Sequence, residues 1–176
     1  MRNNQQSRNV VLTGFMGSGK STVGVILAGK LVKEFVDTDT IIEQMYGAIP
    51  EIFKSEGEDA FRRYEREVSE QLALKENLVI ATGGKLLLDQ TNAELLGGSG
   101  RIFCLSAPVD QIIERILKDG LSERPLLDSE DFEEQLKEIY YQRAASYASF
   151  EQVDTAGRAP SEIASEIRDL LLPENK

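Results

Sequence analysis

The sequence predicts an α/β fold, a parallel sheet covered by helices, and three observations carry that prediction. Short apolar runs alternate with helix-length segments along the chain, the pattern of strands joined by crossover helices. Runs such as Val10-Val11-Leu12 and Leu78-Val79-Ile80-Ala81 are apolar throughout, as buried strands are. Between the first such run and the first helical segment stands Gly14-Phe15-Met16-Gly17-Ser18-Gly19-Lys20-Ser21-Thr22, which matches the phosphate-binding pattern G-x-x-x-x-G-K-[ST] without a gap. Strand, glycine-rich loop and helix are the context this motif requires.

Taken in order, residues 9–13 read as the first strand. Residues 20–33 read as the first helix, with Val23, Ile26, Leu27 and Leu31 on one face. Residues 34–37 form a short second strand, and a helix over about 40–45 ends at Gly47. Pro50 opens a helical region over 51–75, interrupted near Gly57. Residues 78–81 are the third strand, ending at Thr82-Gly83-Gly84. A short helix spans about 89–96, and Gly97-Gly98-Ser99-Gly100 reads as a turn. Residues 101–105 are the fourth strand and 108–118 a helix started by Pro108. Residues 119–128, with Gly120, Ser122 and Pro125, read as a mobile loop. A helix over 131–149, a strand over 151–154 and a helix over 161–172 complete the chain.

A chain of 176 residues makes one domain, 1–176. Thirty acidic against twenty basic residues, net −10, argue against a nucleic-acid or anionic-membrane surface. An anionic ligand must therefore be held by locally clustered Lys and Arg. No run is long and apolar enough for a membrane span, and the polar first eight residues lack a secretory signal, so a cytoplasmic protein is expected. Cys104 reads as a buried strand residue, and without His a zinc site is not expected.

The phosphate loop supplies the first candidate site. Gly17, Ser18, Gly19, Lys20, Ser21 and Thr22 can cradle anionic oxygens with backbone N–H groups at a positive helix end. Lys20 can reach the β- and γ-phosphates of a nucleotide, and the Ser21 hydroxyl can ligate Mg²⁺. Asp37 and Asp39 end the second strand, at the carboxyl edge where open α/β sheets bind ligands. A carboxylate there can orient or deprotonate a hydroxyl, hold Mg²⁺ through water, or simply cap a helix, and Thr40 with Glu43 is itself a capping-box pattern. Arg62 and Glu65 are three apart on a helix, so Glu65 can hold a guanidinium that grips a carboxylate; a solvated charged face is the plainer reading. Gly83 and Gly84 permit close backbone approach to a ligand. Arg124 lies in the candidate mobile loop, where a lid Arg can neutralise charge on a transferred phosphoryl group. Arg143 and Tyr147 are four apart, and Arg158 sits where a loop can stack on a base.

Taken together, these residues resemble the shikimate kinase family over about residues 9–170. The resemblance is carried by the phosphate loop through Val23-Gly24, Phe35-Val36-Asp37-Thr38-Asp39, Glu51-Ile52-Phe53, Gly57-Glu58-Asp59-Ala60-Phe61-Arg62, Ile80-Ala81-Thr82-Gly83-Gly84, Arg124-Pro125-Leu126-Leu127 and Val153-Asp154-Thr155. It implies a nucleoside-monophosphate-kinase-like three-layer α/β/α fold with five parallel strands ordered 2-3-1-4-5. It further implies a substrate-binding region near 39–66 and a lid near 118–129. The implied activity is transfer of the ATP γ-phosphate, with Mg²⁺, to the 3-hydroxyl of shikimate by a monomer. Lys20, Asp39 and Arg124 then match the catalytic residues, and Asp37 the residue near the Mg²⁺ shell. Arg62 and Arg143 match the shikimate carboxylate clamp, Gly84 a backbone contact to substrate, and Arg158 the residue beside adenine.

Two positions depart from the family. Lys85 stands where a third glycine is usual; if that position needs φ > 0, Lys costs about 1 kcal/mol. Its side chain can point to solvent, contact an anion or block shikimate. Val25 stands where the family often has Arg. Lys85 is also the one residue that favours a related kinase acting on gluconate or a nucleotide; a third reading is an ATP-binding regulatory protein without transfer, against which Lys20, Ser21, Asp39 and Arg124 stand intact.

Overall fold

Five strands form one sheet: β1 (Asn9–Thr13), β2 (Glu34–Asp37), β3 (Leu78–Ala81), β4 (Gly100–Ser106) and β5 (Glu151–Asp154). All pairings are parallel and the order is β2-β3-β1-β4-β5, as the family resemblance implies. The computed structural model describes residues 8–118 and 131–172. Eight helices lie among them: α1 (Lys20–Leu31), α2 (Thr38–Tyr46), α3 (Ile49–Ser55), α4 (Glu58–Ala73), α5 (Gln90–Ser99), α6 (Val109–Lys118), α7 (Phe132–Tyr147) and α8 (Pro160–Leu171). Among the described residues, no helix is long and apolar enough to cross a membrane.

The central strands β1 and β3 are buried on both faces, which is why they are apolar rather than alternating, while the edge strands β2 and β5 are more open. In β1, Val10 and Leu12 pack with Val23 and Leu27 of α1 and with Ile163 and Ile167 of α8. Val11, between them, faces the other way, toward Ile42, Phe61, Val68 and Leu96 of α2, α4 and α5. A third cluster joins Phe15 and Cys104 to Ile112, Ile113 and Ile116 of α6 and to Leu136 and Tyr147 of α7. Cys104 is thus a buried strand residue, and burial pushes its thiol up to about 11.

Gly24 lets α1 lie close to β2, because a Cβ there would sit 2.4 Å from Cε2 of Phe35. Gly24→Ala must push that packed ring aside. We expect a cost of about 1–3 kcal/mol, seen as a thermal midpoint lower by several degrees while the far-UV spectrum is unchanged.

Three local expectations need correcting. Gly97, Gly98 and Ser99 are not a turn; they are the last residues of α5, and β4 begins at once with Gly100. Buried Leu96 anchors that helix end in the core, so packing overrides the poor helix propensity of two glycines. The second-strand helix starts at Thr38, before the capping pattern at Thr40, because the Asp37 carboxylate accepts from the N–H groups of Asp39 and Thr40. Lys85 needs no left-handed backbone: its φ is −113°, so the expected strain does not arise. It opens a 3-10 turn, Leu86–Leu88, whose first two leucines are buried in the core.

Candidate active site

The carboxyl ends of β1, β2 and β3 open into one cavity of about 500 Å³. Its lining includes Gly17 to Thr22, Asp37, Asp39, Gly84 and Arg158, so most of the residues singled out in the sequence meet there. A wider depression of about 780 Å³ lies beside Lys30 and α8, but Glu162, Glu166 and Asp169 line it and would repel a phosphate.

The phosphate loop owes its shape to its glycines. Gly14 and Gly17 adopt φ of 135° and 74°. A Cβ on Gly14 would fall 2.3 Å from the Leu105 carbonyl oxygen, and one on Gly17 would fall 2.9 Å from Ile116. Gly19 precedes α1 and no side chain caps that helix, so its first N–H groups remain available to an anion. Lys20 Nζ donates to the carbonyl oxygens of Gly14 and Phe15 at 2.9 and 3.0 Å, which holds the ammonium across the mouth of the loop.

Ser21 Oγ donates to Asp37 Oδ2 at 2.8 Å, while Asp37 Oδ1 caps α2. Capping and ligand binding are therefore not alternatives for Asp37; its two oxygens divide the work. One hydroxyl and one carboxylate facing a phosphate cradle suit Mg²⁺, which retains water and takes few protein ligands. Among the described residues there is no group of three or more His, Cys, Asp or Glu that could hold a metal ion. The remaining ligands of a Mg²⁺ here would be phosphate oxygens and water.

Asp39 lies in the first turn of α2, not at the end of β2 as expected. Its Oδ1 is buried and has no hydrogen-bond partner among the described residues. Burial first, and the Asp37 carboxylate second, push its carboxyl up to about 6, against the opposing pull of Lys20 and Arg62. Gly83 explains the tight fit, since a Cβ there would stand 2.5 Å from Asp39 Oδ1. The Gly83 N–H is already committed to Thr38 Oγ1 at 2.9 Å, and the Gly84 carbonyl accepts from the Tyr147 hydroxyl. Burial raises that hydroxyl to about 12, so it stays a donor.

Arg62 is not part of the cavity lining; it is held as the sequence spacing suggests and also in a way it did not reveal. Its Nη1 donates to Glu65 Oε2 at 2.6 Å, and Glu65 is only 2% exposed. Its Nε and Nη2 donate to Glu58 Oε1 at 3.2 and 2.9 Å. Burial alone would lower the guanidinium pKa, but the two carboxylates outweigh it and the net shift is upward. Burial raises Glu65, with Arg62 pulling it back. Arg143 lies outside the cavity lining: its guanidinium rests on the Phe15 ring, 5.8 Å from the centroid, one helical turn from Tyr147. Arg158 lines the cavity, with Nη1 donating to the Asp154 carbonyl at 2.7 Å and Nη2 paired with Glu166 at 2.6 Å. Arg124 lies outside the described residues, as does the expected lid apart from Lys118.

Arg115 is a site residue that the sequence reading missed. It lines the same cavity as Arg158 and Pro160. Its Nη1 and Nη2 donate to Thr155 Oγ1 and the Thr155 carbonyl at 3.0 and 2.7 Å, so the guanidinium plane is fixed. Thr155 is forty residues away in sequence, and no local pattern announces the pair.

The shikimate kinase family model matches residues 16–172. A shikimate kinase from Thermodesulfovibrio yellowstonii is 42% identical over 162 residues, covering 91% of this chain and 92% of its own. One from Francisella tularensis subsp. holarctica is 40% identical over 173 residues, covering 96% and 97%. Among solved structures, a shikimate kinase from Acinetobacter baumannii in complex with shikimate superposes with a TM-score of 0.86 at 36% identity, covering 95% of this chain and 94% of that one. The sheet order, the phosphate loop and these end-to-end matches agree: the chain belongs to the shikimate kinase family.

Proposed function

We propose that this chain transfers the γ-phosphoryl group of ATP to the 3-hydroxyl of shikimate, giving shikimate 3-phosphate and ADP. The observation that carries this reading is the position of Asp39. Asp39 lines the cavity of the phosphate loop, and its carboxyl feels the charges of both Lys20 and Arg62.

On the donor side, the N–H groups of the loop and of the first turn of α1 bind the phosphates, and Lys20 moves from its carbonyl partners onto the β- and γ-oxygens. Ser21 directly, and Asp37 through water, would hold Mg²⁺, which would offset the phosphate charge. Arg115 and Arg158 flank the nucleoside. On the acceptor side, Arg62 grips the shikimate carboxylate, with Arg143 as the second cation beyond Phe15. The Asp39 carboxylate accepts the proton of the attacking hydroxyl. Phosphoryl transfer needs mainly positioning and charge stabilisation, and a cavity with cations at the donor end and an Asp between the two substrates supplies both. The same reading makes the protein a cytoplasmic monomer without a nucleic-acid partner, consistent with its net charge of −10.

Lys85, the one residue favouring a gluconate- or nucleotide-type acceptor, is paired with Glu58 at 2.9 Å. The test is ADP release with ATP and Mg²⁺, comparing shikimate, gluconate, a nucleoside monophosphate and no acceptor. Release that depends on shikimate is expected; release without it, or with another acceptor instead, overturns the proposal.

The base role also sets a pH dependence. Asp39 must be ionised to accept a proton. We expect kcat/KM for shikimate to rise with pH through a midpoint near 6, the position to which burial pushes this carboxyl, and to level off above it. A profile that stays flat from about pH 5 to 7 would contradict the role.

A further inference from the structure

The loop after β3 carries a cation to the carboxylate that also holds Arg62. Lys85 Nζ donates to Glu58 Oε1 at 2.9 Å, the same oxygen that accepts from Arg62 Nε and Nη2. One carboxylate oxygen thus bridges two cations, while Glu65 holds Arg62 on its other terminal nitrogen. The bridge is outside the cavity lining and partly open to water: Lys85 and Glu58 are 43% and 52% exposed and Arg62 is 32% exposed. Lys85 and Arg62 together hold the Glu58 carboxyl down at about 2, so it is an anion at any working pH.

This arrangement poses a problem for a carboxylate-bearing acceptor. Arg62 already faces two anions, Glu58 and Glu65, with Asp39 nearby. A guanidinium has five N–H groups; three are committed here, leaving one on each terminal nitrogen for a ligand. An incoming carboxylate must use those beside a resident carboxylate. Counting Arg62, Glu58 and Glu65 alone, the cluster carries −1; with Lys85 it is neutral.

We infer that Lys85 is a positioning residue for the acceptor: its ammonium neutralises and draws on Glu58, so that Arg62 can receive the acceptor carboxylate next to it. The inference rests on the reading above that the acceptor carries a carboxylate. Of the three placements open in the sequence, Lys85 takes the contact with an anion, and that anion belongs to the protein. Nothing in its backbone obstructs replacement, since its φ of −113° suits any residue.

The test is steady-state kinetics on Lys85→Met, Lys85→Arg, Glu58→Gln and the Glu58→Gln/Lys85→Met pair, after thermal melts confirm that each is folded. Lys85→Met should raise KM for shikimate about three- to tenfold, the scale of one partly exposed unit charge removed near a charged ligand, and the effect should shrink as salt is added. Its kcat and its KM for ATP should stay within about twofold of wild type, because the Lys85–Glu58 bridge belongs to the acceptor end. Lys85→Arg should restore the KM, and the double variant should return toward wild type, because Arg62 and Glu65 alone are already neutral. A KM for shikimate unchanged or lowered in Lys85→Met overturns the inference, as does a double variant no better than the single one. A wild-type enzyme that ignores shikimate defeats the functional reading instead, before any variant is measured.

Discussion

Asp39→Asn should lower kcat by about 10²- to 10⁴-fold, the usual contribution of a positioned general base, and at the same time make the protein more stable at neutral pH. The two effects have one origin. The folded protein raises this carboxyl from the ordinary 3.8 to about 6. The folded state therefore binds the Asp39 proton more tightly than the unfolded chain does. Its contribution to stability is full below the unfolded value and is lost as pH rises through the folded one. At pH 7 the anion is a burden of about 1–3 kcal/mol, taking the shift at 1.36 kcal/mol per unit as an upper bound for a side chain partly open to water. Asn has the same shape and no charge. Its thermal midpoint should exceed that of the wild type at pH 7, and the difference should vanish near pH 4. A variant that keeps more than about a tenth of wild-type kcat would remove Asp39 from the chemistry.

Arg62→Ala should raise KM for shikimate by about 10- to 150-fold, the range of a lost charge-assisted hydrogen-bond pair, and leave KM for ATP within about threefold. The single substitution has a second consequence. Glu65, only 2% exposed, would keep its carboxylate with no cation beside it, a strongly destabilising change. Arg62→Ala/Glu65→Gln removes both charges and separates the effects. It should melt higher than Arg62→Ala yet show the same rise in KM for shikimate. Equal increases in both KM values would mean that Arg62 supports the whole site instead of gripping the acceptor.

Much of this site was legible in the sequence because its chemistry is local. The phosphate loop is contiguous, and its glycines are needed within a few residues of each other. The central strands could be read because both of their faces are covered, so runs such as Val10-Val11-Leu12 are apolar without alternation. Arg62 and Glu65 share a helix face. What could not be read depends on contacts between distant segments. Glu58 meets Lys85 across 27 residues, and Arg115 meets Thr155 across 40. Local propensity misled once, at Gly97 and Gly98, where burial of Leu96 keeps the helix going. The family's usual glycine at position 85 raised the question of strain there, and a φ of −113° answers that Lys85 carries none. In each case tertiary packing decided what the short-range pattern left open.

The proposed reaction places Asp39 between the nucleotide-phosphate cradle and a hydroxylated carboxylate held by Arg62. Its most direct test is to identify the product. The wild-type protein is incubated with ATP, Mg²⁺ and shikimate, and the mixture is resolved by mass spectrometry and phosphorus NMR. One phosphoryl group on the shikimate 3-hydroxyl is expected for each ADP formed. ADP without phosphorylated shikimate, or phosphate on a different acceptor, would contradict it.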